Sequence, residues 1–302
     1  MSLLMLSANI ISDMNKYICL FSIFLILCSS SSLHASGVMA PTSLRVLSYN
    51  VWGMPFPIRP MHKKLRQAPA IIPQLGADII HMQEVFIKRA KDLGRMKEYP
   101  YVAWGDGPKG IKVLGSGLLI ASKYPLSDID TLTYSACSGS DCLARKGAMY
   151  AKVTIPGYGE IDLINTHLNA GTNRKTKEKQ LKQLEDFVAS KRSHRPLLIM
   201  GDFNLEPDTI FYRTFSYLFD VEDSHQTYLE KNPDSSQHVR DGYTYVMNIG
   251  PVHIRQKLDY IWYRSGADQF LELQDYSVVF DGSKGLPKLS DHYGLTSDFL
   301  IY

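Results

Sequence analysis

The chain has little of what announces a specialised architecture. Four cysteines and three tryptophans occur in 302 residues, too few cysteines for a disulfide-stapled scaffold and wrongly spaced for a zinc finger. Neither sign of charge is in excess: Lys+Arg 33 against Asp+Glu 30 leaves +3. A protein that lives by contacts along a nucleic-acid duplex carries a larger or more clustered basic surplus. HExxH, GxSxG and the Walker lysine loop are all missing, which removes zinc peptidases, nucleophile-elbow esterases and P-loop nucleotide hydrolases. No internal repeat or low-complexity linker appears. No apolar run reaches the roughly 20 residues of a membrane-spanning helix. What remains is an ordinary globular composition, 45% hydrophobic and 21% charged with 21 Gly and 15 Pro. It excludes collagen-like, coiled-coil and mostly disordered chains.

The longest apolar run, residues 17–28 (YICLFSIFLILC), follows Asn15-Lys16 and precedes SSSSLHAS. A basic residue, an apolar stretch of about a dozen residues and a small residue at the cut mark a secretory signal peptide. The expectation is a leader over residues 1–35, cut after Ala35, and a secreted or periplasmic catalytic domain over 36–302. An uncleaved anchor is the competing reading. Removing the leader takes one Asp and one Lys and leaves the net charge unchanged. Cys19 and Cys28 go with it. Cys137 and Cys142 remain in CSGSDC, a pair expected to close a short surface loop as a disulfide in an exported chain.

From Leu44 onward, short apolar runs alternate with amphipathic stretches. LRVLSYNV and IIHMQEV read as strands, as do SGLLIAS, AMYAKVTI, EIDLINTH, RPLLIMGDF, KLDYIWYR and LTSDFLIY. Residues 65–75 read as a helix broken by Pro69 and Pro73. Residues 176–190 place Leu181, Leu184, Phe187 and Val188 at helical spacing. One α/β domain is the economical organisation.

Six of these runs end on a polar residue. Asn50 closes LSYN, Glu84 closes IIHMQE, Asn165 and His167 close LINTH, and Asp202 and Asn204 close LLIMGDFN. Asp259 lies in KLDYIW, and Asp291-His292 precede the last strand. Any one Asn or Asp there is most simply a turn or cap residue. Glu and His are not turn formers, so the set points to one rim where strand ends converge. Glu84, Asp291 and Asn50 offer the oxygen donors that suit a hard cation such as Mg²⁺. Two histidines can stabilise or protonate a phosphoryl group, and Asp202 with Asn204 can orient water, a set fitted to metal-assisted hydrolysis of a phosphate ester.

LSYNVWG, MQEV, SGLLIASKYPL, NTHLNAG, GDFN, KLDYIWYR and SDHYGL, in this order, resemble the motifs of the endonuclease/exonuclease/phosphatase superfamily over residues 44–302. The resemblance implies the DNase I-like fold: an α/β, single-domain, two-sheet β-sandwich flanked by helices, with its site at one edge. It implies Glu84 as principal Mg²⁺ ligand, Asn50 beside metal and phosphate, and Asp291 completing that shell. His167 would stabilise the phosphoryl oxygens, Asp202 and Asn204 would position the attacking water, and His292 would act as acid or base oriented by Asp259. No carboxylate partner for His167 is apparent. His62, His81, His194, His225, His238 and His253 fall outside the motifs. His81 reads as structural, since Glu84 shares strand parity with Met82 instead. Arg145 and Lys146 either meet the substrate phosphate or form a solvated basic turn.

Within the superfamily, NVWGMP and CSGSDCLARKG are more similar to secreted and neutral sphingomyelinases than to DNases. Trp52, Met54, Phe56 and Ile58 form an apolar loop just after Asn50, suited to a lipid surface or to packing under the rim. The long hydrophobic hairpin of some bacterial sphingomyelinases is not evident between Ser265 and Ser290, where YSVVF is the apolar run. The expected protein is a secreted Mg²⁺-dependent phosphodiesterase that acts on a phospholipid at a membrane surface, with peripheral membrane contact and no stable nucleic-acid partner. A DNase I-like nuclease, a phosphoinositide phosphatase and a non-catalytic adhesin or toxin subunit are the alternatives.

Overall fold

The computed structural model describes residues 41–55, 62–191, 193–283 and 285–302; the leader and residues 56–61 of the apolar loop lie outside them. The chain first lays down β1 (Thr42–Asn50), β2 (Ile79–Gln83), β3 (Tyr101–Trp104) and β4 (Leu119–Ser122). Next come β5 (Leu126–Thr133), β6 (Gly147–Ile155), β7 (Gly159–His167), β8 (Leu197–Asp202) and the short β9 (Glu222–Asp223). A separate hairpin, β10 (Tyr245–Ile249) and β11 (Val252–Gln256), precedes β12 (Asp259–Arg264), β13 (Leu271–Val279) and β14 (Gly294–Ile301). The helices of eight or more residues among those described are α1 (Arg174–Ser190), α2 (Ile210–Phe219) and α3 (Ser224–Lys231).

Two six-stranded sheets result, ordered β13-β14-β1-β2-β4-β3 and β5-β6-β7-β8-β12-β9. Both have the same succession of directions: two antiparallel pairings, a central parallel pair, two antiparallel pairings. The parallel pairs are β1 with β2 and β7 with β8. Parallel strands end at the same side, so each sheet delivers two carboxyl ends to one rim. Open α/β sheets bind ligands in such places.

Period-two alternation explains both the core and the site. Between the sheets lie Leu44 and Val46 of β1, Ile79 of β2, Ile161 and Leu163 of β7, Leu198 and Met200 of β8, and Ile261 and Tyr263 of β12. Continue each inner face to the rim and it turns polar: Ser48 and Asn50, His81 and Gln83, Asn165 and His167, Asp202, Asp259, all buried. The outer face of the first sheet packs Leu47, Tyr49 and Met82 against Leu65, Ile72 and Leu93 from short helical turns. The outer face of the second packs Ile199, Tyr260 and Trp262 against Leu184 of α1 and Phe215 of α2. α1 begins where the Asn173 side chain caps the Thr176 amide, and its apolar stripe faces the sheet. Residues 65–75 hold one helical turn (Ala68–Ile71) and one 3₁₀ segment (Ile72–Leu75), each with a proline at its start, as Pro69 and Pro73 require. YSVVF belongs to β13, where Val278 and Val279 are buried.

Candidate active site

The second sheet sets three side chains in a row. The register pairs His167 with Asp202 across β7 and β8, and Asp202 with Asp259 across β8 and β12. Each letter of GDFN has a separate task there. A Cβ on Gly201 would lie 2.0 Å from the Thr166 carbonyl oxygen, so glycine is required for β8 to lie this close to β7. Asp202 faces inward. Phe203 faces outward into an aromatic cluster, 5.0 Å from Phe215 and 5.7 Å from Tyr260, and anchors the segment. Asn204 turns the chain with φ 49°; its amide N–H donates to Asp202 Oδ1 at 3.1 Å and its Nδ2 to the Leu168 carbonyl at 3.1 Å.

The first sheet adds Asn50 and Glu84. Asn50 Nδ2 donates to Asp202 Oδ2 at 2.9 Å and lies 3.3 Å from Glu84 Oε1, tying the two sheets together across the site. Glu84 follows β2 with φ 59°. Left-handed backbone is costly for a residue with a side chain and concentrates at functional sites; Trp52 (φ 49°) and Asn204 share it at this rim. The turn breaks strand parity, so Glu84 does not continue the Met82 face. His81 is on the inner face instead, fully buried, and burial pushes its imidazole down to about 3. Gly53 donates its amide to the Glu84 carbonyl at 3.0 Å, and a Cβ there would lie 2.5 Å from that oxygen.

The loop before β14 brings the last pair. His292 Nδ1 lies 2.8 Å from Asp259 Oδ2, and the Thr244 hydroxyl accepts the amides of Leu258 and Asp259 at 3.0 and 3.1 Å. Burial alone would push the His292 imidazole down, but Asp259 and Asp202 outweigh it and hold it up at about 10. Burial opposes the Asp202 charge, yet His167 and His292 keep that carboxyl well below its usual range. Asp291 is lifted to about 6 by burial, His292 opposing and Glu84 adding to the rise.

His167 finds a carboxylate where the sequence offered none: its Nε2 is 3.2 Å from Asp202 Oδ2. The same nitrogen is 2.9 Å from Lys146 Nζ. Lys146 is buried, bonded also to the Leu168 carbonyl at 3.0 Å and to Asp141 at 2.8 Å. Of the two basic residues left open by the sequence, Lys146 therefore enters the site. Arg145 turns away to Asp106 at 2.7 Å. Asp141 sits in the loop closed by the Cys137–Cys142 disulfide, and Ser138 in that loop bonds Asn169. Asn165, one of the strand-ending polar residues of the sequence but given no role there, belongs to the structure beneath: it accepts from Gln83 at 2.8 Å and donates to the Met82 and Leu119 carbonyls at 3.0 Å, pinning sheet to sheet.

All eight residues singled out from the sequence, Asn50, Glu84, His167, Asp202, Asn204, Asp259, Asp291 and His292, thus gather at one end. Two donor sets for a cation result. Asp202, Asp259 and His292 present ligand atoms within 4.8 Å of one another, but Asp259 Oδ2 and His292 Nδ1 are bonded to each other and Asp202 Oδ2 already meets Asn50 and His167. Glu84 with Asn50 and Asp291 fits a hard cation better: Glu84 Oε2 is buried without a partner, and the Glu84 charge reaches Asp291, so the two carboxylates lie close enough to share one ion.

A model of the endonuclease/exonuclease/phosphatase family matches residues 47–292. A sphingomyelinase of Mycobacterium tuberculosis is 27% identical over 261 residues, 82% of this chain and 50% of that protein; the chain thus spans about half the length of that relative. The crystal structure of sphingomyelinase C from Streptomyces griseocarneus superposes with a TM-score of 0.61 at 20% identity, covering 85% of this chain and 99% of that one. D. rerio TDP2, solved with a single-stranded DNA product, superposes with 0.64 at 17% identity over 85% of this chain and 99% of its own. The fold alone therefore does not choose between lipid and nucleic acid.

Proposed function

Because the chain belongs to the endonuclease/exonuclease/phosphatase family, we propose that it is a divalent-cation-dependent phosphodiesterase that hydrolyses sphingomyelin, or a related phospholipid, to ceramide and phosphocholine. The observation that carries this reading is the joining of Glu84, Asn50, Asp202, His167 and the Asp259–His292 pair in one buried hydrogen-bonded set. The relatives named sphingomyelinase support the choice of substrate.

Glu84, Asn50 and Asp291 would hold the cation, Mg²⁺ by donor chemistry. Bound there, it supplies positive charge against the phosphate oxygens. Asp202 and Asn204 orient the attacking water. His292, held protonated by Asp259 and Asp202, gives a proton to the leaving ceramide oxygen and regains one from water, while Asp259 fixes the ring through Nδ1, leaving Nε2 toward the reaction. His167 and Lys146 meet the phosphoryl oxygens as their charge grows. The water oxygen bonds to phosphorus, the bond to the ceramide oxygen breaks, and the proton taken from water balances the one that oxygen gains. Residues 1–35 are proposed as the leader of a secreted protein, so N-terminal sequencing of exported material should begin at Ser36.

The test is a substrate panel of sphingomyelin, phosphatidylcholine, lysophospholipids, phosphoinositides and plasmid DNA. Phosphocholine release from sphingomyelin, lost in EDTA and restored by Mg²⁺, is the expected result. Cleavage of DNA without sphingomyelin turnover would establish the nuclease reading, and activity that survives EDTA would sink the cation's role.

A further inference from the structure

The hairpin between β3 and β4, residues 105–118, has no role in the chemistry above. Its tip is a tight turn in which the Lys109 and Lys112 amides each donate to the other's carbonyl at 3.2 Å, with Gly110 at φ 60°. Ile111, at the turn, is 89% exposed and Val113 64%. Isolated apolar side chains on a surface need no explanation. Here two stand at one tip, Ile111 between Lys109 and Lys112 and Val113 just after them, and the half-exposed Trp104 lies at the hairpin's base.

The tip is on a braced stem. Asp106, the hairpin's one acidic residue, is consumed: it accepts from Thr131 and Thr133 at 2.9 and 2.7 Å and pairs with Arg145 at 2.7 Å. Arg145 also donates to the Gly107 carbonyl at 2.9 Å, and the Leu114 strand bonds Leu143 and Arg145. Arg145 precedes Lys146 of the active site, so the stem is fixed to the segment that carries that lysine. With Asp106 neutralised, the tip presents the exposed Lys109 ammonium beside two apolar side chains, while Lys112 is half-buried with its Nζ 3.5 Å from the Tyr134 carbonyl. Below it runs a groove of about 370 Å³ lined by Val85, Phe86, Trp104, Val113 and Leu114, with Lys91 at its edge. Its wall begins at Val85, the residue after Glu84.

We propose that this hairpin docks the enzyme on an anionic phospholipid bilayer, with Ile111 and Val113 entering the interface and Lys109 meeting the headgroup phosphates. The charge complement selects this occupant: apolar side chains beside an exposed lysine bind by burial plus attraction to anionic lipid. The groove then opens beside Glu84 on the docked side, giving the apolar part of a lipid a place next to the reacting phosphate. This docking rests on the phospholipid reading of the active site.

The experiment measures cosedimentation of the full exported chain with phosphatidylcholine vesicles, with and without phosphatidylserine, alongside hydrolysis of the soluble diester bis(p-nitrophenyl) phosphate. The wild type should prefer phosphatidylserine vesicles and lose that preference at high salt. Ile111→Asp and Val113→Asp should each weaken binding about tenfold or more, and Lys109→Glu should cost roughly fivefold on anionic vesicles alone. Soluble diester turnover should stay at the wild-type rate in Ile111→Asp and Lys109→Glu. Unchanged vesicle binding by Ile111→Asp, or no vesicle binding by the wild type, overturns the docking proposal, even where sphingomyelin in detergent is still hydrolysed. Binding that Ile111→Asp abolishes, by a wild type that cleaves no phospholipid, sustains the docking and refutes the substrate.

Discussion

Two buried clusters in this molecule contain nearly the same groups and behave differently. One is the active site, with Lys146, His167, Asp202, Glu84, Asp259 and His292. The other joins Lys257, Asp223 and His225, near the start of β12. In the second cluster the bonds close. Lys257 Nζ lies 2.7 Å from Asp223 Oδ2 and 2.8 Å from His225 Nδ1, and 4.7 Å from the centre of the Tyr260 ring. His225 Nε2 is 2.6 Å from the Val239 carbonyl, and Asp223 also accepts from Tyr212 and from the His225 amide. In the active site, Glu84 Oε2, His167 Nδ1 and Asp259 Oδ1 are buried with no partner, and His167 Nε2 is shared between a carboxylate and an ammonium. Buried polar atoms normally find partners, so composition does not separate scaffold from site. The open valences do.

The widest gap between the clusters should appear when one group is removed from each. His292→Ala and Glu84→Gln should each lower turnover by about 10²- to 10⁴-fold while circular dichroism shows each variant still folded. Either variant at full activity would refute its assignment. Lys257→Met should do the reverse. It leaves Asp223 buried without its cation, a loss of about 3–5 kcal/mol in denaturant unfolding, with a much smaller change in kcat at temperatures where the variant is folded. A stable Lys257→Met would show that the closed cluster is not structural.

The third contrast is in pH. Burial, with the Lys257 charge adding, pushes His225 down to about 4, whereas an unfolded histidine protonates near 6.5. Between those values the unfolded chain binds the extra proton. Stability from this group is therefore complete above pH 6.5 and falls by about 3 kcal/mol as pH drops to 4. His292 has the opposite sign: raised to about 10, its contribution is complete below pH 6.5 and fades as pH rises through 10. Unfolding in chelator across pH should show the acid-side loss shrinking in His225→Gln and the alkaline loss shrinking in His292→Ala. Identical profiles for wild type and variants would remove the distinction.

Legibility from sequence followed position in the sheets. The eight runs read as strands are β1, β2, β4, β6, β7, β8, β12 and β14, the interior strands of both sheets. The edges β3, β5, β9 and β13 did not stand out. An interior strand is covered on both sides and carries a dense apolar run. An edge such as β5, LSDIDTLT, is exposed or half-exposed throughout, and its charges guard it against pairing with another chain. The site residues were visible because they interrupt apolar strands. Lys146 and the His167–Asp202 contact were not, because a lysine among Arg, Lys and Gly looks like any basic turn, and a contact across strands depends on register. His81 was judged by a parity that the left-handed turn at Glu84 cancels.

The first and last strands of the chain are neighbours, with Cα partners running from Thr42–Ile301 to Ser48–Leu295. β14 separates β13 from β1, so the first sheet has a slot in its middle that the final residues of the chain fill. Asn50 at the end of β1 and His292 just before β14 therefore both depend on a pairing between strands far apart in sequence. Such long-range closure is slow. Until it happens the first sheet and the core beneath it are incomplete.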